Sequence, residues 1–510
     1  MSPSLPTELI SKILEYADYK TITACRKLCR RLRDIVDTTA SLRYVVELGA
    51  AGMCDGLPDT VSPAERLRRL EGFQAAWKGS AWSQPKCFPY SKKILPFPVA
   101  LSGNLVVLKG PAHGFRHTGE LLLLRFPSEA RGVPEKLWYL DLDCQHIEAI
   151  ALDESQDLLV FSCLPNIHIR TLSSGRVHPS SSFLGLIDAG TNFVDYEDFS
   201  LRIHDDRLAF TTSTGHNVLV WNWKTGKQIA KIPFERRYTS CTFLDRSSIL
   251  FPYRTSGQDQ MLRFQVVTFE SPNTDEPALR FYQFELDVLG PQPEQGYFLS
   301  VNTLPSNPSG SYFPGYFHSE PSSRLLALEV ETPVIDSMGG DIPLRVLFVP
   351  HDVLIGYIAS HPSDADTVMV PWEAWGPGNT HILSLPDPSS DRFLGSKLVC
   401  GMHAVTEPPM IVVGDQKMLR IMDYHPRRVA RNPVTQNGLG ISGAAGWLEF
   451  GRLTGEKVPH AFKDIPLPDE IRWENIKCVL GEDMVAVFEY SLGTFGDFGH
   501  RIEKVFYHPI

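Results

Sequence analysis

The sequence predicts a small all-α region at the N-terminus and a large all-β domain that fills most of the chain. Two observations predict this division. Apolar residues recur at spacings of three and four from the start to about Trp82. After Trp82, short runs rich in Val, Leu, Ile, Phe and Tyr alternate with turn residues almost to the C-terminus. The predicted boundaries are 1–44 for a first helical module, 45–82 for a helical linker and 83–510 for the β domain.

The first helical module is too short to be stable without a partner. A helix can begin near Pro6, where the missing N–H leaves no hydrogen bond unmade. Its apolar residues are Leu9, Ile10, Ile13, Leu14 and Ala17. A second apolar run follows Asp18 and Tyr19, and it contains Ile22, Cys25, Leu28, Cys29, Leu32 and Ile35. Segments below roughly 40 residues usually need a metal, disulfides or a partner. A partner is therefore expected.

The other side of the second run is basic. It has no acidic residue from Thr21 to Arg33 and carries Lys20, Arg26, Lys27, Arg30, Arg31 and Arg33. The chain as a whole has a net charge of -10, which disfavours nonspecific nucleic-acid binding. We therefore interpret this side as a solvated helical face.

Two motifs in this module resemble the F-box. They are Leu5-Pro6-x-Glu8-Leu9-Ile10-x-x-Ile13-Leu14 and Leu28-Cys29-Arg30-Arg31. F-box modules dock onto the Skp-type adaptor of cullin-RING ubiquitin ligases, and a C-terminal domain then holds the substrate. The resemblance implies an adaptor-binding set of Leu5, Pro6, Glu8, Ile10, Leu14, Ile22, Cys25 and Cys29. It implies internal packing for Leu9, Ile13, Leu28, Leu32 and Ile35.

Two positions depart from the usual F-box pattern. Ala17 stands where a leucine is usual, and Leu32 stands where many members carry tryptophan. Both changes weaken the expected packing slightly and leave the pattern in place.

The linker predicts two helices that form a stalk. Residues 41–53 have helical periodicity, and Ser62-Pro63-Ala64-Glu65 combines a capping box with proline in the first turn. Val46-Glu47-Leu48 and the run from Ser62 to Arg66 resemble the linker of a large group of fungal F-box proteins.

The β domain shows a weak internal repeat. Predicted strands lie at Asn104–Leu108, Glu120–Phe126, Ile147–Leu152, Asp157–Phe161, Ile167–Leu172, Arg207–Thr212, Val218–Trp223 and Thr239–Leu244. Corresponding turns at Asp157, Asp206 and Ser247 are 49 and 41 residues apart. Four-stranded propeller blades repeat about every 40 to 50 residues. Trp221-Asn222 sits where WD repeats carry Trp-Asp.

This repeat predicts a WD-like β-propeller of six to eight blades, with seven favoured. An irregular pair of β-sandwiches is the alternative. No helix is expected to interrupt the strands for long. Three stretches break the rhythm and are expected to be loops, namely 301–323, 370–380 and 425–473.

Aromatic residues in these loops are candidate substrate contacts, because loops often carry binding sites and aromatics anchor interfaces. The candidates are Tyr312, Phe313, Tyr316, Phe317, Trp372 and Trp375. Packing between neighbouring blades is the alternative for each of them.

The sequence indicates neither a catalytic residue nor a cofactor or metal site. Gly438 to Gly443 matches G-x-G-x-x-G, but it follows no strand and opens no helix, so we interpret it as a loop. No apolar run approaches about 18 residues, so no membrane span is expected. Nine cysteines without a CxxC pair favour a reducing cytoplasmic or nuclear setting.

These observations predict a noncatalytic substrate-recognition subunit of a Skp–cullin–F-box ubiquitin ligase. Its expected partners are a Skp-type adaptor, cullin through that adaptor, and a protein substrate, with no nucleic acid and no membrane. A scaffold without a ligase role is the first alternative, and a propeller enzyme is the second.

Overall fold

The computed structural model describes most of the chain from residue 5 to residue 509. The described ranges are 5–56, 61–78, 97–109, 119–144, 147–190, 199–212, 217–233, 241–254, 262–270, 278–286, 301–302, 315–320, 324–331, 344–362, 365–385, 399–400, 403–405, 411–413, 416–426, 448–449, 461–467, 476–482, 484–492 and 500–509.

Five helices open the chain. They are α1 Thr7–Leu14, α2 Tyr19–Leu28, α3 Arg30–Thr38, α4 Ala40–Ala51 and α5 Pro63–Lys78. The Asp18 carboxylate accepts a 2.7 Å hydrogen bond from the Thr21 amide and starts α2. Cys29 is extended, so the second apolar run forms two helices, α2 and α3. The two helices predicted for the linker correspond to α4 and α5, while the domain boundaries stay a prediction.

The first four helices share a small core. It consists of Leu14, Ile22, Ile35, Val36 and Leu42, with Val45 and Val46 of α4 packed against it. The linker helix α4 therefore belongs to the same packed unit as α1 to α3.

The first three large sheets are four-stranded antiparallel meanders. The first contains β2 Phe97–Ser102, β3 Leu105–Lys109, β4 Glu120–Arg125 and β5 Lys136–Asp141. The second contains β6 Ile150–Asp153, β7 Leu158–Cys163, β8 Asn166–Thr171 and β9 Leu186–Asp188. The third contains β10 Phe199–His204, β11 Arg207–Thr212, β12 Asn217–Asn222 and β13 Gln228–Pro233.

Four more sheets follow in the described part of the chain. The fourth has β14 Thr242–Asp245, β15 Ser248–Arg254, β16 Leu262–Glu270 and β17 Ala278–Glu285, with β22 Thr367–Val370 parallel to β17. The fifth has β18 Val301–Asn302, β20 Leu325–Glu331, β21 Leu344–Pro350, β23 His381–Leu385 and β28 Leu448–Glu449. The sixth has β24 Val399–Cys400, β25 His403–Val405, β26 Ile411–Val413, β27 Gln416–Asp423 and β29 Ala461–Pro466. The seventh has β30 Ile476–Leu480, β31 Met484–Leu492 and β32 His500–Pro509.

Consecutive sheets meet through their first strands. β2 lies against β6, β6 against β10, and β10 against β14. Four-stranded meanders placed side by side in this way are the blades of a β-propeller. The predicted fold class, a small helical region followed by a large all-β propeller, is confirmed. The number of blades stays a prediction, because long stretches between the later strands lie outside the described residues.

Apolar side chains fill the space between neighbouring sheets. Leu105, Leu121 and Leu123 of the first sheet pack with Leu159 and Phe161 of the second. The first and seventh sheets also share a core. Its members are Leu101, Val106, Leu108, Leu122, Leu124, Phe126, Val479, Met484, Ala486, Phe488, Val505 and Tyr507. The two ends of the β region therefore meet through side-chain packing.

A ten-residue helix interrupts the β region, contrary to prediction. α6 spans His351–Ser360 and is followed, after β22, by the single turn α7 Trp372–Trp375. Leu354 of α6 is buried in the core of the fourth and fifth sheets. The stretch 370–380, predicted to be a loop, thus includes part of a strand and a helical turn.

A short strand of the linker joins the β region. β1 Met53–Asp55 pairs antiparallel with β19 Phe317–Ser319. The chain reaches β1 through Gly52, which ends α4 in the left-handed conformation at φ 68°. A Cβ atom at this glycine would clash with Nε2 of His425, so the close approach also requires glycine.

The linker and the β region share one hydrophobic core. Phe317 is fully buried, and its ring centroid lies 5.6 Å from that of Phe73 in α5. The remaining members of this core are Tyr44, Leu48, Ala51, Met53, Leu67 and Leu70. The linker helices are therefore packed on the β region and do not form a free-standing stalk.

We call β1, β19, α4, α5 and Arg131 together the linker junction. Polar contacts add to its hydrophobic core. Arg131 donates to the carbonyl of Phe317 at 2.8 Å and forms an ion pair with Glu482 next to the seventh sheet at 2.5 Å. Tyr44 and Arg66 both donate to Oδ1 of Asp55 at 2.7 Å. Burial, with the Asp55 carboxylate, raises the pKa of Tyr44, so its hydroxyl stays a hydrogen-bond donor.

A disulfide joins Cys144 and Cys163, which the sequence analysis did not predict. Cys163 is the last residue of β7, and Cys144 follows β5 of the first sheet. The bond therefore links the first and second sheets. Disulfides are uncommon in the reducing cytoplasmic and nuclear compartments that the cysteine spacing favoured. The cellular compartment of this protein stays a prediction.

We expect Phe317→Ala to destabilise the linker junction by about 3–5 kcal/mol, as is usual when a buried phenylalanine is truncated. Chemical denaturation measures this loss. Limited trypsin digestion should show faster cleavage in α4 and α5. Phe210→Ala, which removes an equally buried ring from the third sheet, is the matched control. If α4 and α5 are cleaved no faster in the Phe317 variant than in this control, Phe317 does not hold the linker.

Candidate functional site

The helical module exposes a stripe of large apolar side chains. On α1 and its flanks, Leu5, Leu9, Ile13 and Tyr16 are exposed by 51%, 50%, 60% and 92%. Leu28 at the end of α2 is exposed by 74%. We call these five residues the apolar face. Since groups of large water-exposed apolar residues mark interaction sites, this face is the candidate functional site.

The geometry of α1 explains why this helix has two apolar sides. Leu9 and Ile13 are four residues apart and share one side of the helix. Ile10 and Leu14 are also four apart, and they lie on the side that packs into the core with Ile22 and Ile35. One apolar side of α1 is thus used for folding, and the other remains exposed.

Two polar contacts hold the ends of the helices near this face. Arg31 of α3 donates to the carbonyl of Leu5 at 2.5 Å, which places the start of α1 beside the start of α3. Arg26 of α2 pairs with Asp37 of α3 at 2.7 Å and keeps the two helices together. The hydrogen bond from Arg26 lowers the pKa of the Asp37 carboxyl, so this pair stays charged near neutral pH.

The structure divides the predicted adaptor-binding residues into two groups. Leu5, Pro6, Glu8 and Cys29 are exposed, and Ile10 and Cys25 are half-buried. Leu14 and Ile22 are buried at 6% and 0% exposure in the helical core, so their predicted surface placement is wrong. The binding role of the other residues stays a prediction.

The predicted internal set is also partly wrong. Leu9, Ile13 and Leu28 were expected to pack inside but are exposed, while Ile35 is buried as expected. The physical reason for the error on α1 is that this helix is apolar on two sides. A shift of one residue in the assumed helical phase exchanges the buried side with the exposed side. Tyr16 was not predicted at all, although its spacing of three from Ile13 continues the same stripe.

Three of the candidate substrate contacts belong to the hydrophobic core. Phe317 is fully buried in the linker junction, and Trp372 and Trp375 are buried against α6 and the fourth sheet. Buried side chains offer a partner no surface, so these three follow the alternative stated for each candidate, which is internal packing. Trp375 donates from its ring nitrogen to the carbonyl of Glu285 at 3.2 Å.

Tyr316 is half-buried, and the guanidinium of Arg69 lies 4.7 Å from its ring centroid. It therefore serves the linker junction. Tyr312 and Phe313 lie outside the described residues, as does the G-x-G-x-x-G match at 438–443.

A buried polar cluster lies where the third, fourth and fifth sheets meet. His351 contacts the carbonyl of Leu244 through Nε2, and Arg324 donates to the same carbonyl at 3.2 Å. His204 and His351 are exposed by only 5% and 6%. Burial, with the nearby Arg324 cation, lowers the pKa of both histidines to about 4. These groups are packed between sheets, which indicates a structural role.

Within the described ranges, no group of three or more His, Cys, Asp or Glu side chains could hold a metal ion. None of the helices in the part of the chain that the structure describes is long and apolar enough to cross a membrane.

Comparison with protein families identifies the helical module. The model of the F-box domain matches residues 2–44. These residues are an F-box domain. The match contains the whole apolar face and the helices α1 to α3. An F-box domain implies binding to a Skp-type adaptor in cullin complexes.

Several solved structures resemble this chain weakly. Hsv2 of Kluyveromyces marxianus is 13% identical, with 50% of this chain and 65% of that chain covered and a TM-score of 0.26. U3-55K is 9% identical, with 82% of this chain and 96% of that chain covered and a TM-score of 0.35. The Cps50 (Swd1) β-propeller domain of Myceliophthora thermophila is 10% identical, with 69% of this chain and 81% of that chain covered and a TM-score of 0.29.

The chain thus spans just under two thirds of the Hsv2 structure. Likenesses this distant carry no argument about function, and the fold rests on the sheets described above. A search of curated proteins finds none that matches this chain.

The buried histidines make stability depend on pH. An unfolded histidine has a pKa near 6.5, so between about pH 6.5 and pH 4 the unfolded chain binds more protons than the folded chain. His351 should therefore lower stability by roughly 1–2 kcal/mol when the pH falls from 7 to 5. Urea denaturation of the wild type and of His351→Gln at both pH values measures this. A variant that loses as much stability as the wild type would contradict the assignment.

Proposed function

We propose that this chain is a noncatalytic substrate-recognition subunit of a Skp–cullin–F-box ubiquitin ligase. Its F-box domain binds the adaptor, and its β-propeller binds the target protein. The exposed apolar face of the F-box domain is the observation that carries this proposal. The chain contributes no reacting group, and it acts by holding the target close to the ubiquitin that the ligase delivers.

The apolar face is large enough to drive association with a partner. Burial of one exposed leucine side chain contributes about 1.5–3 kcal/mol. Five large apolar side chains on one module therefore represent a substantial driving force for association. The core of the module is formed by the opposite side of α1, so binding does not require the F-box to unfold.

The linker junction supports the second half of the proposal. A target held by the propeller gains proximity only if the propeller keeps a defined direction relative to the adaptor. Strand pairing between β1 and β19, with Phe317 in the shared core, supplies that constraint. A freely jointed linker would lower the effective concentration of the target at the ubiquitin donor.

We expect a Leu5→Asp, Leu28→Asp double variant to bind a Skp-type adaptor at least roughly a hundredfold more weakly, because two anchors of about 1.5–3 kcal/mol each are lost. Both side chains are exposed, so the fold should persist. Copurification and titration of the purified adaptor measure the loss. Leu14 is unsuitable for this test, since its replacement would disrupt the helical core.

Leu184→Asp is the matched control, because Leu184 is exposed by 79% and lies in the β region. It should bind the adaptor like the wild type. If the double variant binds as tightly as the control, the apolar face does not dock the adaptor. If the well-folded wild type does not bind, the proposed function is wrong.

Ubiquitin transfer separates a substrate receptor from a scaffold. Proteins that copurify with the wild-type chain from cells should carry more ubiquitin than those that copurify with the Leu5→Asp, Leu28→Asp variant, since only the wild type connects them to the ligase. Quantitative mass spectrometry of ubiquitin remnants measures the difference. Equal ubiquitin content in both samples would favour the scaffold.

A further inference from the structure

Positive charge borders the apolar face of the F-box domain. Lys27, Arg30 and Arg33, which we call the basic rim, are exposed and form no ion pair with any described residue. Arg30 is the first residue of α3 and follows Leu28 and Cys29 directly in the chain. The basic rim therefore begins where the apolar face ends.

Contacts within the F-box leave these cations in excess. Asp37 is paired with Arg26, Glu15 accepts hydrogen bonds from Lys12 and Ser41, and Asp18 caps α2. Glu8 and Asp34 are the other carboxylates on α1 to α3, and both are exposed. Together with Asp18, whose charge the capping hydrogen bond does not neutralise, these make three carboxylates outside ion pairs. Against these three stand five cations outside the ion pairs formed among described residues, namely Lys20, Lys27, Arg30, Arg31 and Arg33.

The hydrogen bond from Arg31 to the Leu5 carbonyl fixes the position of this charge. It places the start of α3 beside the backbone of Leu5. Arg30 and Arg33 are three residues apart and share a different side of α3 from Arg31. A partner that covers Leu28 therefore docks next to Lys27 and Arg30, which flank Leu28 and Cys29 in the chain. Salt screens charges only partly at separations below the Debye length, which is about 8 Å at physiological ionic strength.

The net charge of the whole chain makes this local excess informative. A protein of charge -10 repels an acidic partner at long range. A cluster of cations at one interface reverses the sign of the field where docking occurs. Rim charges of this kind chiefly change the association rate and its salt dependence.

We propose that the basic rim recognises an acidic surface of the Skp-type adaptor, next to the groove that receives Leu5 and Leu28. This inference rests on the proposed function and adds a second element to it, because apolar contacts supply affinity and the basic rim supplies association rate and orientation. The partner surface is identified by its chemistry, as carboxylates that border an apolar groove.

Association kinetics of the full chain with the purified adaptor test the proposal. We expect Arg30→Glu, Arg33→Glu to lower the association rate constant at least about tenfold at about 20 mM salt, because electrostatic steering raises association rates by factors of about 10 to 1,000. The two proteins should converge at about 500 mM salt, where screening removes the steering. The dissociation rate should stay within about twofold.

The matched control is Lys227→Glu, Lys231→Glu at the last strand of the third sheet. Both lysines are exposed, and this control changes the net charge by the same amount as the rim variant. It should retain the wild-type association rate within about threefold. An equal loss in control and rim variant would mean that only net charge matters and would overturn the proposal.

An unchanged rate and salt dependence in the rim variant would also overturn it. In that case adaptor binding by the wild type would persist, and the proposed function would stand. If Arg30→Glu, Arg33→Glu shows a reduced helix content by circular dichroism, Arg30→Gln, Arg33→Gln removes the charge with a smaller perturbation and should lower the rate in the same direction. Loss of adaptor binding by the wild type itself would overturn both proposals.

Discussion

The pairing of Met53–Asp55 with Phe317–Ser319 is the constraint on which the two halves of this protein depend. It brings a strand from the N-terminal linker into register with one from the middle of the β region. Phe317 of β19 completes the core of the linker helices. Arg131 donates a hydrogen bond to the same strand and forms an ion pair with Glu482 next to the seventh sheet. Without it, the F-box domain would be a separate body on a tether, and the direction of the propeller would be undefined.

Short helices in this chain serve two purposes at once. α1 packs Ile10 and Leu14 inward and leaves Leu9 and Ile13 exposed. An exposed apolar side contributes no burial free energy to the folding of the free protein, and α4 adds Val45 and Val46 to the small core. The domain that docks is therefore stabilised by the linker that orients it.

The sequence was informative where one pattern has one physical meaning. Strands such as β11 Arg207–Thr212 were predicted to the residue, because a short apolar run that follows a polar turn fits a strand buried on both sides. The predicted capping position of Ser62 is occupied as expected, with the Glu65 amide 3.3 Å from its hydroxyl. Motifs at Leu5–Leu14 and Leu28–Arg31 were sufficient to identify the F-box.

Predictions failed where a pattern has two meanings. The doubly apolar α1 does not reveal which side is inside, so Leu14 was placed on the surface and Ile13 in the core. His351–Ser360 reads VLIGYI at its centre, which resembles a strand, and it forms a helix because of its packing on the fourth and fifth sheets. Trp372 and Trp375 lie among Gly and Pro, which indicated a loop, and the long-range contacts that bury them are not visible in the sequence.

Phe317 has a consequence for the order in which the chain folds during synthesis. The core of the F-box domain contains only residues up to 46, so all of its members leave the ribosome early. The core of the linker helices lacks one wall until residue 317 has been made. The F-box core, including the start of α4, can therefore form before the residues of the middle of the propeller have been synthesised. Only the packing of α4 and α5 around Phe317 must come later.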